Sequence, residues 1–215
     1  MTDQGEERHR LGREATTAVI LDAAQELFSA HGYNGVAVRA IAKRAGVTHA
    51  LVHQYVGSKA DVFRAVLSRN EGLMLSAAPD NPDLLESTSL MFRHGVGSNG
   101  RTYVRVLVRS ALDGVPYERT SSRFEAVERL IELAEEVAAS ASADERAEKD
   151  LDPRLVVAAV VSLFLGWAAA ESWIRPATGL QDMDDAELID GLVRVEASIL
   201  RANLPGADRD DPASP

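Results

Sequence analysis

Residues 39–59 read RAIAKRAGVTHALVHQYVGSK, and this stretch decides the fold of the N-terminal part of the chain. Apolar residues recur at helical spacing on both sides of Gly46, a residue that permits the backbone angles of a sharp turn. Thr48 can cap the second apolar segment, and Val52 can bury that segment against Ile41 of the first. The spacing therefore predicts two short helices joined by a tight turn, which is a helix-turn-helix unit.

The charge distribution separates this stretch from the rest of the chain. Residues 8–69 carry nine Lys and Arg against four Asp and Glu, whereas residues 70–215 carry 14 against 26. The net charge of the whole chain is -10. A basic segment on an acidic body is typical of a part of the chain that binds a polyanion.

Composition excludes several kinds of protein. The 215 residues include no cysteine, so disulfides and thiolate metal sites are excluded. The first residues, MTDQGEERHRLGR, contain no apolar run, so we expect no secretory signal and a cytoplasmic protein. The apolar run LVVAAVVSLFLGWAAA at 155–170 is shorter than the roughly 20 residues that a membrane span needs, so it predicts a buried helix.

Helical periodicity extends over most of the remaining sequence, and no alternating strand pattern is evident. A helix from Val19 ends at His31, with Gly32 as its C-terminal cap, and a capping box formed by Ser58 and Asp61 starts a helix at 59 that runs to about 75. Further helices are predicted at 83–94, 101–113, 121–142, 153–174 and 184–203. We expect an all-α fold of about nine helices: a three-helix domain at 14–69, a larger helical domain at 70–204, and disordered tails at 1–13 and 205–215.

The stretch RAIAKRAGVTHALVHQYVGSKADVFRAVL, preceded by LDAAQELFSAHGYNGVAVRAIA, resembles the DNA-binding domain of the TetR family of bacterial transcriptional regulators. The patterns A..LF...G, IA..AGV and GSK stand in the family's order. The resemblance implies a homodimer that binds a palindromic double-stranded DNA operator and is released by a small-molecule effector. The two DNA-binding units of such a dimer are expected about 34–36 Å apart, or at a related spacing, to reach successive major grooves.

The DNA-contacting residues are predicted on and around the second helix of the unit. His49, Ala50, His53 and Gln54 are expected to face outward, where small and polar side chains can reach base edges. Lys59 stands at the positive end of the next helix, where a phosphate is favoured. The resemblance adds further positions, so that the predicted set is Arg39, Thr48, His49, Ala50, Leu51, His53, Gln54, Tyr55 and Lys59.

A metal or catalytic site is not expected. His49 and His53 lie four residues apart, which is the spacing of two zinc ligands on one helix. However, HALVH lacks the Glu of the HExxH motif, and no third ligand is evident nearby. Since no catalytic triad is evident either, we expect a protein that is not an enzyme and needs no cofactor.

The resemblance implies an effector pocket and a dimer interface in the second domain. A hydrophobic or amphipathic effector is predicted to contact aromatic, apolar and charged side chains: Tyr103, Arg105, Leu107, Arg109, Phe124, Phe164, Trp167 and Glu171. Ordinary core packing and surface ion pairs remain the alternative for each of them. The last two helices are predicted to pair with those of a second copy through Val157, Val161, Leu188, Ile189, Leu192, Val193, Glu196, Ile199 and Leu200.

Some positions depart from the family pattern. Val36 and Ala37 stand where many members have Thr or Ser at the start of the second helix, and Ala50, His53 and Val56 replace a frequent Gly, Tyr and Phe. The alternative function is therefore a helical dimeric adaptor that lacks sequence-specific DNA binding.

Overall fold

The computed structural model describes residues 3–76, 82–96, 98–116 and 124–208. Every regular element in these ranges is an α-helix, which confirms the all-α prediction. The ten described helices are α1 (Asp3–His31), α2 (Val38–Ala45), α3 (His49–Tyr55), α4 (Lys59–Ser76), α5 (Leu84–Val96), α6 (Ser98–Leu112), α7 (Glu125–Ser140), α8 (Ala143–Glu148), α9 (Pro153–Ala177) and α10 (Asp185–Asn203).

The chain divides into two compact units, which differ from the predicted domains. The first unit comprises residues 1–72 and 102–122, and the second comprises 73–101 and 123–215. Residues 102–112 of α6, most of the helix, thus belong to the first unit, whereas the sequence placed all of this helix in the second domain. A direct contact explains part of this grouping: the Asn34 amide donates a hydrogen bond to the backbone carbonyl of Asp113, just after α6, at 3.5 Å.

The core of the first unit is built around three aromatic rings. Phe28 of α1 and Phe63 of α4 are fully buried and meet edge to face, with ring centroids 5.1 Å apart. Tyr33 stacks on Phe28 and meets Phe63 edge-on. Ile41 and Val52 are also fully buried, as predicted, so α2 and α3 are held in the same core.

Parts of both tails that the sequence predicted to be disordered are ordered in the structure. Residues 3–13 form the start of α1, because Gln, Glu and Arg favour helix and extending an existing helix needs no new nucleus. At the other end, Leu204 and Ala207 are buried, and the Lys149 ammonium donates to the carbonyl of Arg201 at 2.5 Å and pairs with Asp208 at 2.7 Å. These contacts order the chain through residue 208; residues 209–215 lie outside the described ranges.

The second unit packs α5, α7 and α10 around the apolar helix α9. Phe92 and Phe164 form one contact between α5 and α9, with ring centroids 5.6 Å apart. By length and composition α9 could cross a membrane, but core helices of folded proteins share these properties. The sequence missed the short helix α8, which begins with a complete capping box between Ser142 and Glu145.

Candidate nucleic-acid interface

The turn between α2 and α3 has the local structure that its sequence predicts. Gly46 ends α2 in the left-handed region, with φ of 69°. The Thr48 hydroxyl accepts a hydrogen bond from the Leu51 backbone N–H at 3.3 Å, which caps α3. The predicted cap and turn are thereby confirmed. At the start of α2, Ala37 has extended backbone angles and makes no side-chain cap.

Helix α3 buries one side and exposes the other. Val52 is fully buried, and Leu51 and Tyr55 are half-buried. Four side chains are exposed as predicted: His49, Ala50, His53 and Gln54. The exposed side carries hydrogen-bonding groups and a small apolar group but no acidic residue, a combination that suits the edges of DNA bases.

The two histidines of this face contact each other. Their Nε2 atoms are 3.3 Å apart, and the rings meet edge to face with centroids 4.5 Å apart. One imidazole must donate the hydrogen bond and the other accept it. The sequence predicted both positions as surface residues but not this contact.

Lys59 lies at the start of α4 beside an aromatic ring. Its Nζ atom is 4.4 Å from the centroid of Tyr33, and desolvation lowers the pKa of the ammonium group. The preceding residue, Ser58, forms the predicted capping box: its N–H donates to Asp61 at 2.8 Å, and the Asp61 N–H donates to the Ser58 hydroxyl at 3.3 Å. Hydrogen bonds from Ser58 and then Arg64 lower the pKa of Asp61 to about 2. The Lys59 ammonium is thus held against the Tyr33 ring, four residues after the end of α3.

Two other helices of the first unit carry exposed arginines. Arg39 is exposed on α2, as the prediction requires. The guanidinium of Arg13 on α1 lies 5.6 Å from the centroid of the Tyr55 ring. Arg13 is outside the predicted set because residues 1–13 were assigned to a disordered tail.

Helix α4 is fixed to α1 by polar contacts below this surface. Arg69 pairs with Asp22 at 2.8 Å, and its guanidinium also donates to the side-chain carbonyl of Gln25 at 3.0 Å. The buried Asn70 amide donates to Gln25 at 2.8 Å and to the Val66 carbonyl at 2.7 Å. The third turn of α4 is therefore fixed to the middle of α1.

Comparison with known proteins identifies the chain. The sequence pattern of the family described as bacterial regulatory proteins, tetR family, matches residues 20–66 of this chain. The HTH-type transcriptional repressor Rv3405c of Mycobacterium tuberculosis is 34% identical over 181 residues, which cover 82% of this chain and 85% of that protein. The chain belongs to the TetR family. It is a DNA-binding transcriptional regulator, and its relative's name agrees with the expectation of a protein that is not an enzyme.

Solved structures share the TetR-family fold over nearly the whole chain. A putative transcriptional regulator, SCO4942 of Streptomyces coelicolor, has a TM-score of 0.63 and 22% identity, covering 86% of this chain and 97% of that one. AibR, solved in complex with isovaleryl coenzyme A and operator DNA, has a TM-score of 0.58 and 17% identity, covering 88% and 99%. At these identities the likeness shows a common fold.

The residues predicted to form the effector pocket of this TetR-family chain are divided between the two units. Tyr103, Arg105, Leu107 and Arg109 belong to the first unit, and Phe124, Phe164, Trp167 and Glu171 to the second. The prediction that Arg105 and Arg109 are anchors inside a pocket is not met, because both are exposed and Arg109 pairs with Asp113 at 3.3 Å. Tyr103 is buried, and this burial raises the pKa of its hydroxyl.

Glu171 and Trp167 have different environments in the second unit. The Glu171 carboxylate is 3.1 Å from the Arg101 guanidinium and 3.2 Å from that of Arg175, which also pairs with Asp185 at 2.6 Å. Glu171 therefore holds an ion-pair cluster together. Trp167 is buried, and its indole N–H has no hydrogen-bond partner among the described residues.

The predicted dimer residues separate into two groups. Four of them, Val157, Leu188, Glu196 and Leu200, are buried inside a single protomer, which corrects their assignment to the interface. Their helices are apolar on more than one face, so periodicity alone did not distinguish the core face. The other five remain half-buried: Val161, Ile189, Leu192, Val193 and Ile199. Two apolar residues of these helices outside the predicted set, Leu155 and Val195, are 58% and 51% exposed.

Proposed function

We propose that this TetR-family regulator is a repressor that binds a palindromic operator as a homodimer and releases it when a small molecule binds. The exposed face of α3 is the observation that carries the DNA-binding part of this proposal. A named repressor that is similar over most of its length, Rv3405c, supports the direction of regulation.

In the proposed complex, α3 lies in the major groove. His49, His53 and Gln54 hydrogen-bond to base edges, and Ala50 and Leu51 contact thymine methyl groups. The surrounding residues hold the phosphates on either side: Arg13, Arg39, Thr48, Tyr55 and Lys59. Base contacts then supply sequence preference, whereas phosphate contacts supply affinity that depends on salt.

The proposed homodimer buries the outer faces of α9 and α10. Leu155, Val195 and the five half-buried predicted residues give these faces an apolar character. Burying apolar surface stabilises association by roughly 25 cal/mol per Å² before the cost of association is counted. Pairing two copies also provides two α3 helices for the two halves of a palindrome.

The proposed effector is a hydrophobic or amphipathic molecule. The buried indole N–H of Trp167 could donate to a polar group of that molecule, since a buried donor without a partner is costly. Phe124, which is half-buried, and Phe164, which is buried against Phe92, are further candidate contacts in the second unit. AibR, whose structure contains isovaleryl coenzyme A and operator DNA, supports a response to a ligand on this fold.

Release is proposed to be a shift between two conformations. Helices α4 and α6 each contribute residues to both units. A conformational change that the effector favours in the second unit can therefore reach the first unit, which carries α3, through either helix. The effector favours a conformation in which the two α3 helices no longer match successive major grooves. Coupling of this kind typically amounts to about 1–3 kcal/mol.

Fluorescence anisotropy against the intergenic DNA upstream of the chain's own gene tests the DNA-binding part. We expect sequence-selective binding that weakens steeply with salt. His49→Ala should relax the sequence preference, whereas Lys59→Ala and Arg13→Ala should weaken all duplexes about equally and reduce the salt dependence by about one counterion each. Arg129→Ala, on α7 of the second unit, is the control with the same loss of charge.

The opposite result favours the adaptor function. If neither this duplex nor any fragment from a genome-wide pull-down binds better than non-specific DNA at low salt, the exposed face of α3 does not read sequence. A homodimer without such binding would then fit the alternative of a helical dimeric adaptor.

A further inference from the structure

The two imidazoles on α3 are separated by the distance that a chelated metal ion requires. Their Nε2 atoms are 3.3 Å apart. A tetrahedral zinc ion with Zn–N bonds of about 2.0–2.1 Å holds two nitrogen ligands roughly 3.3–3.4 Å apart. The rings meet at an interplanar angle of 71°, and rotation about their side-chain torsions directs both lone pairs at one ion between them.

We propose that His49 and His53 form a chelate for one divalent transition metal ion of the kind that imidazole favours, such as Zn²⁺ or Ni²⁺. Both side chains are exposed, so an ion can enter from solvent and keep water in its remaining positions. The ion replaces the hydrogen bond that joins the two rings, and each ring then carries its proton on Nδ1.

The surroundings of the pair limit the site to two protein ligands. Among the residues that the structure describes, no group of three or more His, Cys, Asp and Glu could hold a metal ion. The site therefore differs from a structural zinc centre with four protein ligands, and its affinity is expected to be lower. Its occupancy depends on the concentration of free metal ion.

Metal binding on this face opposes DNA binding, a consequence that rests on the proposed function. The ion occupies both Nε2 atoms and brings its water shell to the surface that enters the major groove. The two imidazoles then cannot use these atoms for base edges. The chelate itself does not depend on whether the chain binds DNA.

Titration calorimetry of the full-length protein with NiCl₂ and with ZnCl₂ tests the chelate. We expect one ion per chain in the wild type, and binding weaker by at least about tenfold in His49→Ala and in His53→Ala, because each substitution removes one of two ligands. His31→Ala is the matched control, since His31 is an exposed histidine on a helix of the same unit with no second histidine beside it. Helical circular dichroism checks that each variant is folded.

Two results of this titration would overturn the chelate. One is the absence of binding to the wild type, and the other is binding that both single variants retain. Ring resonances of His49 and His53 that fail to shift together on adding Zn²⁺ would also contradict it.

A second measurement separates the chelate from its effect on DNA. Adding NiCl₂ should lower the operator affinity of wild type and His31→Ala, and EDTA should restore it. In His53→Ala the ion should have no effect, whatever that variant's own affinity. If the ion binds but the operator affinity is unchanged, the proposal that the ion opposes DNA binding is wrong, whereas the proposal of the chelate stands. If no duplex binds at all, the proposed function fails, and the calorimetry still decides the chelate.

Discussion

At the scale of single residues, Glu196 shows most clearly what burial does to a charged group. Its side chain is 1% exposed in the core of the second unit. Desolvation raises its pKa to about 7, against the smaller opposing effect of the Thr88 hydroxyl. The sequence placed Glu196 on the dimer interface, because it lies at helical spacing within the apolar stripe of the last helix. The structure instead makes it a core residue that favours the neutral form.

The raised pKa of Glu196 predicts a stability that falls with rising pH. The unfolded carboxyl group releases its proton near 4.5, whereas the folded one keeps it until about 7. Between these values the folded state binds more protons, so raising the pH destabilises it, and the loss levels off above about 7. Glu196→Gln removes this loss, because glutamine does not titrate. Above pH 7 the free energy of unfolding of this variant should exceed that of the wild type by up to about 3 kcal/mol.

Urea unfolding of wild type and Glu196→Gln at several pH values between about 4 and 8 measures this effect. The difference in unfolding free energy should grow as the pH rises through this range. Two parallel pH profiles would show that the carboxyl group titrates normally.

Gly32 and Gly46 have the same backbone conformation, but we expect their replacement by alanine to lower the free energy of unfolding by different amounts. Gly32 and Gly46 have φ of 70° and 69°. A Cβ at Gly32 would lie 1.9 Å from Oδ2 of Asp113, whereas a Cβ at Gly46 would meet nothing within 4 Å. Gly46→Ala should therefore lower the free energy of unfolding only by the roughly 1–2 kcal/mol that a side chain costs in the left-handed conformation. Gly32→Ala should lower it by more, because the added methyl group also meets Asp113.

Unfolding free energies of the two variants test this difference. Adding Asp113→Ala to Gly32→Ala should recover the excess, because it removes the carboxylate that the methyl group meets. Equal losses in the two single variants would contradict the packing of the α6 end against the turn after α1.

At the scale of elements, the sequence predicted best where the signals are local. The starts of α3 and α4 follow from side-chain caps at Thr48 and Ser58, and Gly46 ends α2, because a cap depends on only a few neighbouring residues. Helix α8 was missed because it lies between the predicted helices 121–142 and 153–174 and no apolar stripe marks it. The core faces of α9 and α10 could not be assigned, because a helix apolar on several sides needs its packing partners to define its orientation.

Helix α2 provides an element-scale prediction because it begins without a cap. Ala37 has φ of -100° and ψ of 147°, which suit an N-cap residue, but its methyl group cannot accept a hydrogen bond. Ala37→Ser should stabilise the chain by about 1 kcal/mol by accepting from a free backbone N–H of the first turn. Thermal unfolding should show a higher midpoint for this variant. Ala40→Ser, inside the exposed side of the same helix, is the control and should not raise the midpoint.

At the scale of the whole molecule, the proposed homodimer predicts which surface tolerates a charge. Val195 on α10 is 51% exposed, and Leu112 at the end of α6 is 80% exposed. Val195→Glu should weaken dimerisation by at least about tenfold, because an unpaired carboxylate would be buried between the copies. Leu112→Glu should leave the dimer intact.

Light scattering coupled to size-exclusion chromatography, over a dilution series, measures the two variants. A wild type that is monomeric at all concentrations would contradict the homodimer. Equal dissociation of both variants would place the interface elsewhere.

The division of α6 between the two units has a consequence for protein engineering. The first unit needs residues 102–116 as well as residues 3–72, so it is encoded by two separate stretches of the gene. A chimaera made by joining residues 1–72 to another sensor would lack the segment that meets Asn34 and Gly32. Exchange of DNA-binding specificity is therefore better attempted by replacing α3 alone, or by transplanting both stretches together, than by a single crossover within α4.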